Sequence, residues 1–91
     1  MAEENLRRSL EQLRNRLSEV ETEEQATQQK VDSLTDHIQD LLTHHEGDVP
    51  PEKHRRLLDA LRGSVEHFEI NHPVVTGMIN NVIQTMNNLG I

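Results

Sequence analysis

The sequence contains no cysteine, tryptophan or tyrosine, and a single phenylalanine is its only aromatic residue. The absence of cysteine excludes disulfide bonds, thiolate metal sites and cysteine-based catalysis. Because only 33% of the residues are apolar, a core must be built almost entirely from Leu, Val, Ile and Met. The strands of β sandwiches draw instead on β-branched and aromatic residues. The composition therefore favours packed helices.

Basic charge and long apolar runs are also scarce. The chain carries 16 acidic and 9 basic residues, for a net charge of −7, and such a chain repels the phosphate backbone of nucleic acids. No run approaches the roughly 18 apolar residues that span a bilayer, and the N-terminus lacks the apolar segment of a secretory signal. We therefore predict a cytoplasmic protein that does not bind nucleic acid and does not insert stably into membranes.

Heptad spacing dominates residues 1–46. Two runs of apolar residues repeat at intervals of three and four: Leu6, Leu10, Leu13, Leu17 and Val20, then Val31, Leu34, Ile38 and Leu41. This spacing is typical of amphipathic helices. Glu24 and Thr27 interrupt the apolar pattern, although no Gly or Pro breaks it. Two interpretations remain: a helical hairpin that turns near residue 22, which the polar gap favours, and one long helix of about 40 residues.

A loop is predicted at residues 47–51, because Gly47 is a natural helix stop and the two prolines that follow cannot continue a helix. A C-terminal helical pair follows at residues 52–91. Its first helix carries an apolar face composed of Leu57, Leu58, Leu61, Val65 and Phe68.

A break at residues 71–73 separates the two helices of this pair. Pro73 suits the first position of a helix, and Asn71 or His72 can cap that helix. His72 and Pro73 therefore form a predicted helix joint, in which His72 caps or packs. A pH-sensitive hinge is the alternative role of His72, since histidine titrates near neutrality.

These patterns predict an all-α fold with three or four amphipathic helices, arranged as a helical hairpin or a coiled-coil-like bundle. We expect a single domain overall. Because a chain of 91 residues buries only a modest share of its surface, we expect oligomerisation to complete the core.

The last helix is the most unusual stretch, because residues 73–91 contain no charged side chain in a protein in which 27% of residues are charged. Its apolar residues form one broad face: Val75, Met78, Ile79, Val82, Ile83, Met86 and Leu89. If these side chains stayed in water, the protein would lose on the order of 10 kcal/mol of stabilisation from their burial. The face must be covered by the protein's own helices, by identical copies, by another protein or by lipid. We predict self-association, because neutral Asn, Gln and Thr avoid like-charge repulsion at a symmetry axis.

Residues 65–91 also carry a recognisable pattern: Val-Glu-x-Phe-Glu, then His-Pro, a Gly four residues later, and a final Gly-Ile. The residues concerned are Val65, Glu66, Phe68, Glu69, His72, Pro73, Gly77, Gly90 and Ile91. This stretch resembles the C-terminal signature of a family of short bacterial proteins, domain-of-unknown-function family 4404. The resemblance implies a free-standing bacterial protein and implies no activity, because the family is uncharacterised.

Sites for chemistry are not indicated by the sequence. No Ser or Thr lies in a nucleophile context and no Gly-rich loop could hold a phosphate, so we predict no enzyme, no catalytic residue and no cofactor. The six histidines are His37, His44, His45, His54, His67 and His72. They lack the ligand spacing of a zinc site, although His44, His45, Glu46 and Asp48 could hold a divalent ion weakly.

The leading hypothesis is a non-enzymatic, helical homo-oligomer, either a dimer or a tetramer. It would have a structural or adaptor role through protein–protein contact, with an unidentified protein partner as a further option. A weak metal or pH sensor based on the histidines is the first alternative. Peripheral membrane association through the uncharged last helix is the second, although that helix lacks the basic residues and aromatic anchors of membrane-surface helices.

Overall fold

The computed structural model describes residues 2–44 and 48–91 of the chain, with side chains described from residue 4 onward. These residues form four α-helices and no strand. The helices are α1 (Ala2–Ser18), α2 (Gln25–Leu42), α3 (Pro51–Glu69) and α4 (Pro73–Asn88). The predicted all-α fold is therefore confirmed. Of the two interpretations left open by the sequence, the structure has the helical hairpin, since the chain leaves the helical conformation between Ser18 and Gln25.

The four helices form an antiparallel bundle that closes on itself. Each consecutive pair of helices is in contact, and α1 also packs against α4. Hydrogen bonds between helices fix the directions: Arg7 near the start of α1 donates to the carbonyl of Leu42 at the end of α2, and Lys53 near the start of α3 reaches Asp40 near the end of α2. The two short connections, residues 19–24 and 70–72, therefore lie at the same end of the bundle.

The core consists of one apolar seam from each helix. The buried residues are Leu6, Leu10, Leu13, Leu17, Val31, Leu34, Ile38, Leu41, Leu57, Leu58, Leu61, Phe68, Val75, Ile79, Val82 and Met86. Residues spaced by three and four fall on one side of a helix, so each seam faces the bundle axis. As a result, the four seams cover one another within a single chain.

Thr27 is a buried polar residue in the seam of α2. Its side chain is 3% exposed, and its Oγ1 lies 2.6 Å from Nε2 of His67 on α3. A buried hydroxyl needs such a partner, because an unpaired polar group is costly inside a protein. Thr27, which interrupts the apolar pattern in the sequence, is therefore a packed contact between α2 and α3 rather than part of the turn.

Helix α4 ends in a glycine cap. Gly90 has φ 79°, in the left-handed region that glycine adopts without steric cost. The Ile91 N–H donates to the carbonyl of Met86 at 3.1 Å, the six-to-one hydrogen bond of a Schellman cap.

Arg7 ties α1 to the end of α2. Its guanidinium donates to the carbonyl oxygens of Leu42 at 2.8 Å and His44 at 3.0 Å. The last carbonyls of a helix lack partners within the helix and form the negative end of its dipole, so a cation stabilises them.

We predict that Arg7→Met lowers the free energy of unfolding by about 1.5–3 kcal/mol, the range for hydrogen bonds that involve a charged group. Urea unfolding followed by circular dichroism measures this loss. Arg8→Met is the matched control, because Arg8 is exposed on the same helix. Equal stability of the two variants would show that Arg7 does not cap α2.

Candidate functional site

The apolar face predicted for self-association lies largely inside the bundle. Val75, Ile79, Val82 and Met86 are buried, and Met78, Ile83 and Leu89 are partly buried against the same core. Helices α1 and α3 flank α4 and cover this face. The protein's own helices therefore cover this face, which was the first of the four possibilities that the sequence left open. A contact between two folded copies cannot use the four buried residues.

The predicted joint, His72 and Pro73, connects α3 to α4. Pro73 begins α4, while His72 precedes it with no side-chain cap. The His72 ring packs edge-on against Phe68, with ring centroids 5.8 Å apart. Its backbone N–H donates to the Phe68 carbonyl at 2.8 Å and its own carbonyl accepts from the Thr76 N–H at 3.0 Å. His72 therefore packs and connects the two helices through its backbone.

The exposed side of α4 carries no charge. The name "exposed side of α4" refers to the exposed residues of the helix: Pro73, Val74, Gly77, Asn80, Asn81, Gln84, Asn87 and Asn88. The corresponding side of α3 is highly charged, with exposed Glu52, Arg55, Arg56, Asp59, Arg62, Glu66 and Glu69. Exposed charges also lie on α1 and α2, for example Arg8 and Asp32. The exposed side of α4 thus differs in chemistry from the rest of the described surface.

A groove lined by both polar and apolar residues lies at the end of the bundle that holds the two short connections. We call it the end groove. It is lined by Arg16, Glu19, Val20, Glu21, Asn71, His72, Pro73, Val74 and Val75, and its volume is about 280 Å³. This is slightly below the roughly 300–1,000 Å³ of typical small-molecule sites.

Two large apolar side chains are exposed on either side of the His-Pro joint. Ile70, the residue after α3, is 83% exposed, and Val74, which lines the groove in the first turn of α4, is 53% exposed. Sequence reasoning missed both residues, because neither belongs to a three-and-four seam. The available signal was their position: two β-branched apolar residues flank the His-Pro joint without a place in either helical pattern.

Two acidic residues line the end groove, and two more are exposed in the same connection. Glu19 and Glu21 line it, and Glu23 and Glu24 are exposed in the same connection between α1 and α2. Arg16 is the base in the lining, and its guanidinium pairs with Glu19 at 3.1 Å. The rim of the groove is therefore negative.

A second, polar groove lies between α2 and α3, lined by Asp36, His37, Asp40, Lys53 and Arg56. The Lys53 ammonium hydrogen-bonds the Asp40 carboxylate and lowers the pKa of that carboxyl below its ordinary value. Both partners are partly solvated, so the pair contributes little to stability.

Metal ligation has no geometric support in the described part of the chain, where no three His, Asp or Glu side chains lie close enough to hold an ion. His37 and His44 each direct Nδ1 to the carbonyl oxygen four residues earlier, at 2.6 and 3.0 Å. His45 and Glu46, which belong to the predicted weak metal cluster, lie outside the described residues, as does Gly47.

Comparison with known proteins places the chain in one family. The model of the family described as Domain of unknown function (DUF4404) matches residues 6–91, in agreement with the resemblance seen in the sequence. No curated protein and no solved structure matches the chain. None of the described helices combines the length and apolar content that crossing a membrane requires.

Proposed function

The chain belongs to the DUF4404 family, and we propose that this small helical protein acts without catalysis, as a homodimer joined through the exposed side of α4. In this proposal the dimer has a structural or adaptor role. The proposal keeps the last helix as the association element but moves the contact from its buried apolar face to its opposite side.

One observation carries the proposal: every exposed residue of α4 is uncharged in a protein with a net charge of −7. A two-fold contact places the same residues of both copies against each other. Charged faces such as that of α3 would bring like charges together, which costs stability at an interface. The exposed side of α4 is free of this repulsion.

The residues on this side suit close packing of two helices. A Cβ placed on Gly77 would meet no atom within 4 Å, so the backbone is open to a second molecule there. Asn80, Asn81 and Gln84 present side-chain amides, each of which both donates and accepts hydrogen bonds. Identical amides can therefore pair with each other across a two-fold axis.

The proposal excludes catalysis because a substrate cannot reach the hydroxyl–imidazole contact between Thr27 and His67. Thr27 and His67 form a hydroxyl–imidazole contact of 2.6 Å, which resembles half of a nucleophile–base pair. Thr27 is only 3% exposed, so no substrate can reach its hydroxyl. We therefore assign this contact to packing.

The test is the molar mass in solution, measured by size-exclusion chromatography with light scattering. We expect wild-type protein at high micromolar concentration to show twice the 10.5 kDa of one chain. Gly77→Glu should weaken the dimer at least tenfold, which corresponds to about 1.4 kcal/mol, because two carboxylates would then meet at the axis.

Gly63→Glu is the matched control. Gly63 is also an exposed glycine inside a helix, and a Cβ there would likewise meet no atom within 4 Å. Both variants add one negative charge and remove one helix-destabilising glycine. A monomeric wild type, or equal dissociation by both substitutions, would refute association through α4.

A further inference from the structure

We infer that the end groove binds a basic segment of another protein, which inserts an apolar side chain between Val20 and Val74 while its Lys or Arg residues face the acidic rim. This surface shares Pro73 and Val74 with the exposed side of α4, but it does not include Gly77, where the dimer contact is tested. It would give the protein a heterologous partner of defined chemistry.

Exposed apolar area is the first argument. Ile70 is 83% exposed and Val74 is 53% exposed, the two largest exposures among the large apolar side chains of the described residues. Single exposed apolar residues are common, but here the two flank one joint, and Val74 lines a groove together with Val20 and Pro73. Apolar area that is grouped around a concave site marks a place where a partner can be bound.

Charge identifies the occupant. The groove lining contains Glu19 and Glu21, the connection from α1 continues with exposed Glu23 and Glu24, and the lining base Arg16 is already paired with Glu19. A segment rich in Lys or Arg complements this rim. A second copy would bring the same acids against each other, and an anionic lipid surface would repel them.

Size favours a protein segment over a small molecule. The groove of about 280 Å³ is smaller than most sites that enclose a whole ligand. It can hold one or two apolar side chains presented by a helix or an extended segment, in the way that amphipathic peptides anchor in shallow grooves.

The probe is a fluorescent synthetic peptide with Leu at heptad positions a and d and Lys elsewhere, titrated with the 91-residue chain at physiological salt and followed by anisotropy. A peptide with Glu in place of every Lys is its counterpart. We expect saturable binding of the Leu/Lys peptide and no binding of the Leu/Glu peptide.

Paired variants locate the site. Ile70→Asn combined with Val74→Asn, and separately Glu19→Gln combined with Glu21→Gln, should each raise the dissociation constant at least tenfold. The matched controls are Ile91→Asn, an exposed apolar residue outside the groove, and Glu11→Gln combined with Asp59→Asn, which removes the same charge elsewhere. Both controls should bind like the wild type, as should Gly77→Glu, because Gly77 is not in the groove lining.

Three results would overturn the inference. Equal affinity of groove and control variants would mean that the peptide is attracted only by net charge. A lower molar mass of an Ile70→Asn single variant, in which Val74 of α4 is unchanged, would assign the groove to a second copy. Flotation of the wild type with phosphatidylglycerol vesicles, but not of the Ile70→Asn, Val74→Asn double variant, would assign it to lipid.

Discussion

Ile79→Asp is expected to give a protein that does not fold, whereas Asn80→Asp, one position further along α4, should leave the bundle intact. Ile79 is 0% exposed and lies in the core, while Asn80 is exposed. An unpaired carboxylate in an apolar core costs several kcal/mol. That cost is comparable with the 5–15 kcal/mol by which a typical small domain is stable.

Far-ultraviolet circular dichroism and urea unfolding distinguish the two variants. Ile79→Asp should lose the helical signal and the cooperative transition, and Asn80→Asp should retain both. Native-like helicity and stability of Ile79→Asp would mean that α1 and α3 do not cover this position. Asn80→Asp has a second use, because it adds a charge to the exposed side of α4 and should weaken the proposed dimer while leaving the monomer folded.

Phe68→Ala is expected to lower the free energy of unfolding by about 3–5 kcal/mol, the range for removing a large core side chain. Phe68 is the only phenylalanine in a chain that has no tyrosine or tryptophan, and its side chain is 0% exposed. Its ring meets His67 and His72 edge-on, at centroid distances of 5.5 and 5.8 Å. Such ring pairs contribute beyond the area that they bury, so Phe68 joins α3 to the start of α4.

Phe68→Leu refills most of the volume and should cost clearly less than Phe68→Ala. Ile70→Ala is the control on the same stretch, because Ile70 is 83% exposed, and its effect should stay within about 0.5 kcal/mol. Urea midpoints measure all three substitutions. If Phe68→Ala lowered the free energy of unfolding no more than Ile70→Ala, this result would contradict the position of Phe68 in the core.

The helices were predictable because their apolar spacing is a local property of the chain. Leu10, Leu13 and Leu17 fall on one side of any helix that contains them, whatever covers that side. The same logic explains why the proline at position 73 marks the start of α4. The positions of the helices depend on residues that are close in the sequence, so the sequence alone was sufficient to predict them.

What covers each seam was not predictable in the same way. The face that contains Val75 and Ile79 has the same amphipathic pattern whether α1, α3 or a second copy packs on it. Thr27 shows the related difficulty, because its partner His67 lies 40 residues away and nothing near Thr27 signals it. Pairing between distant residues depends on topology, which the periodicity of a single helix does not contain.

The sequence indicated the exposed side of α4 and the end groove only in part. The neutral composition of residues 73–91 was evident, but which of these residues face solvent depends on how α4 is rotated in the bundle. Ile70 and Val74 became noticeable only through their exposure, since outside a seam an apolar residue can be buried by a loop or left in water. Their grouping with the acids of the connection at residues 19–24 is a product of the fold.

The contact between α1 and α4 has a consequence for how the protein folds. The other helix contacts join helices that are consecutive in the chain, so they require less loop closure and form more quickly. The contact between the first and last helices is the one that must bring together opposite ends of the chain. We therefore expect a folding rate in the fast range of helical bundles, with substitutions at the α1–α4 contact acting mainly on unfolding.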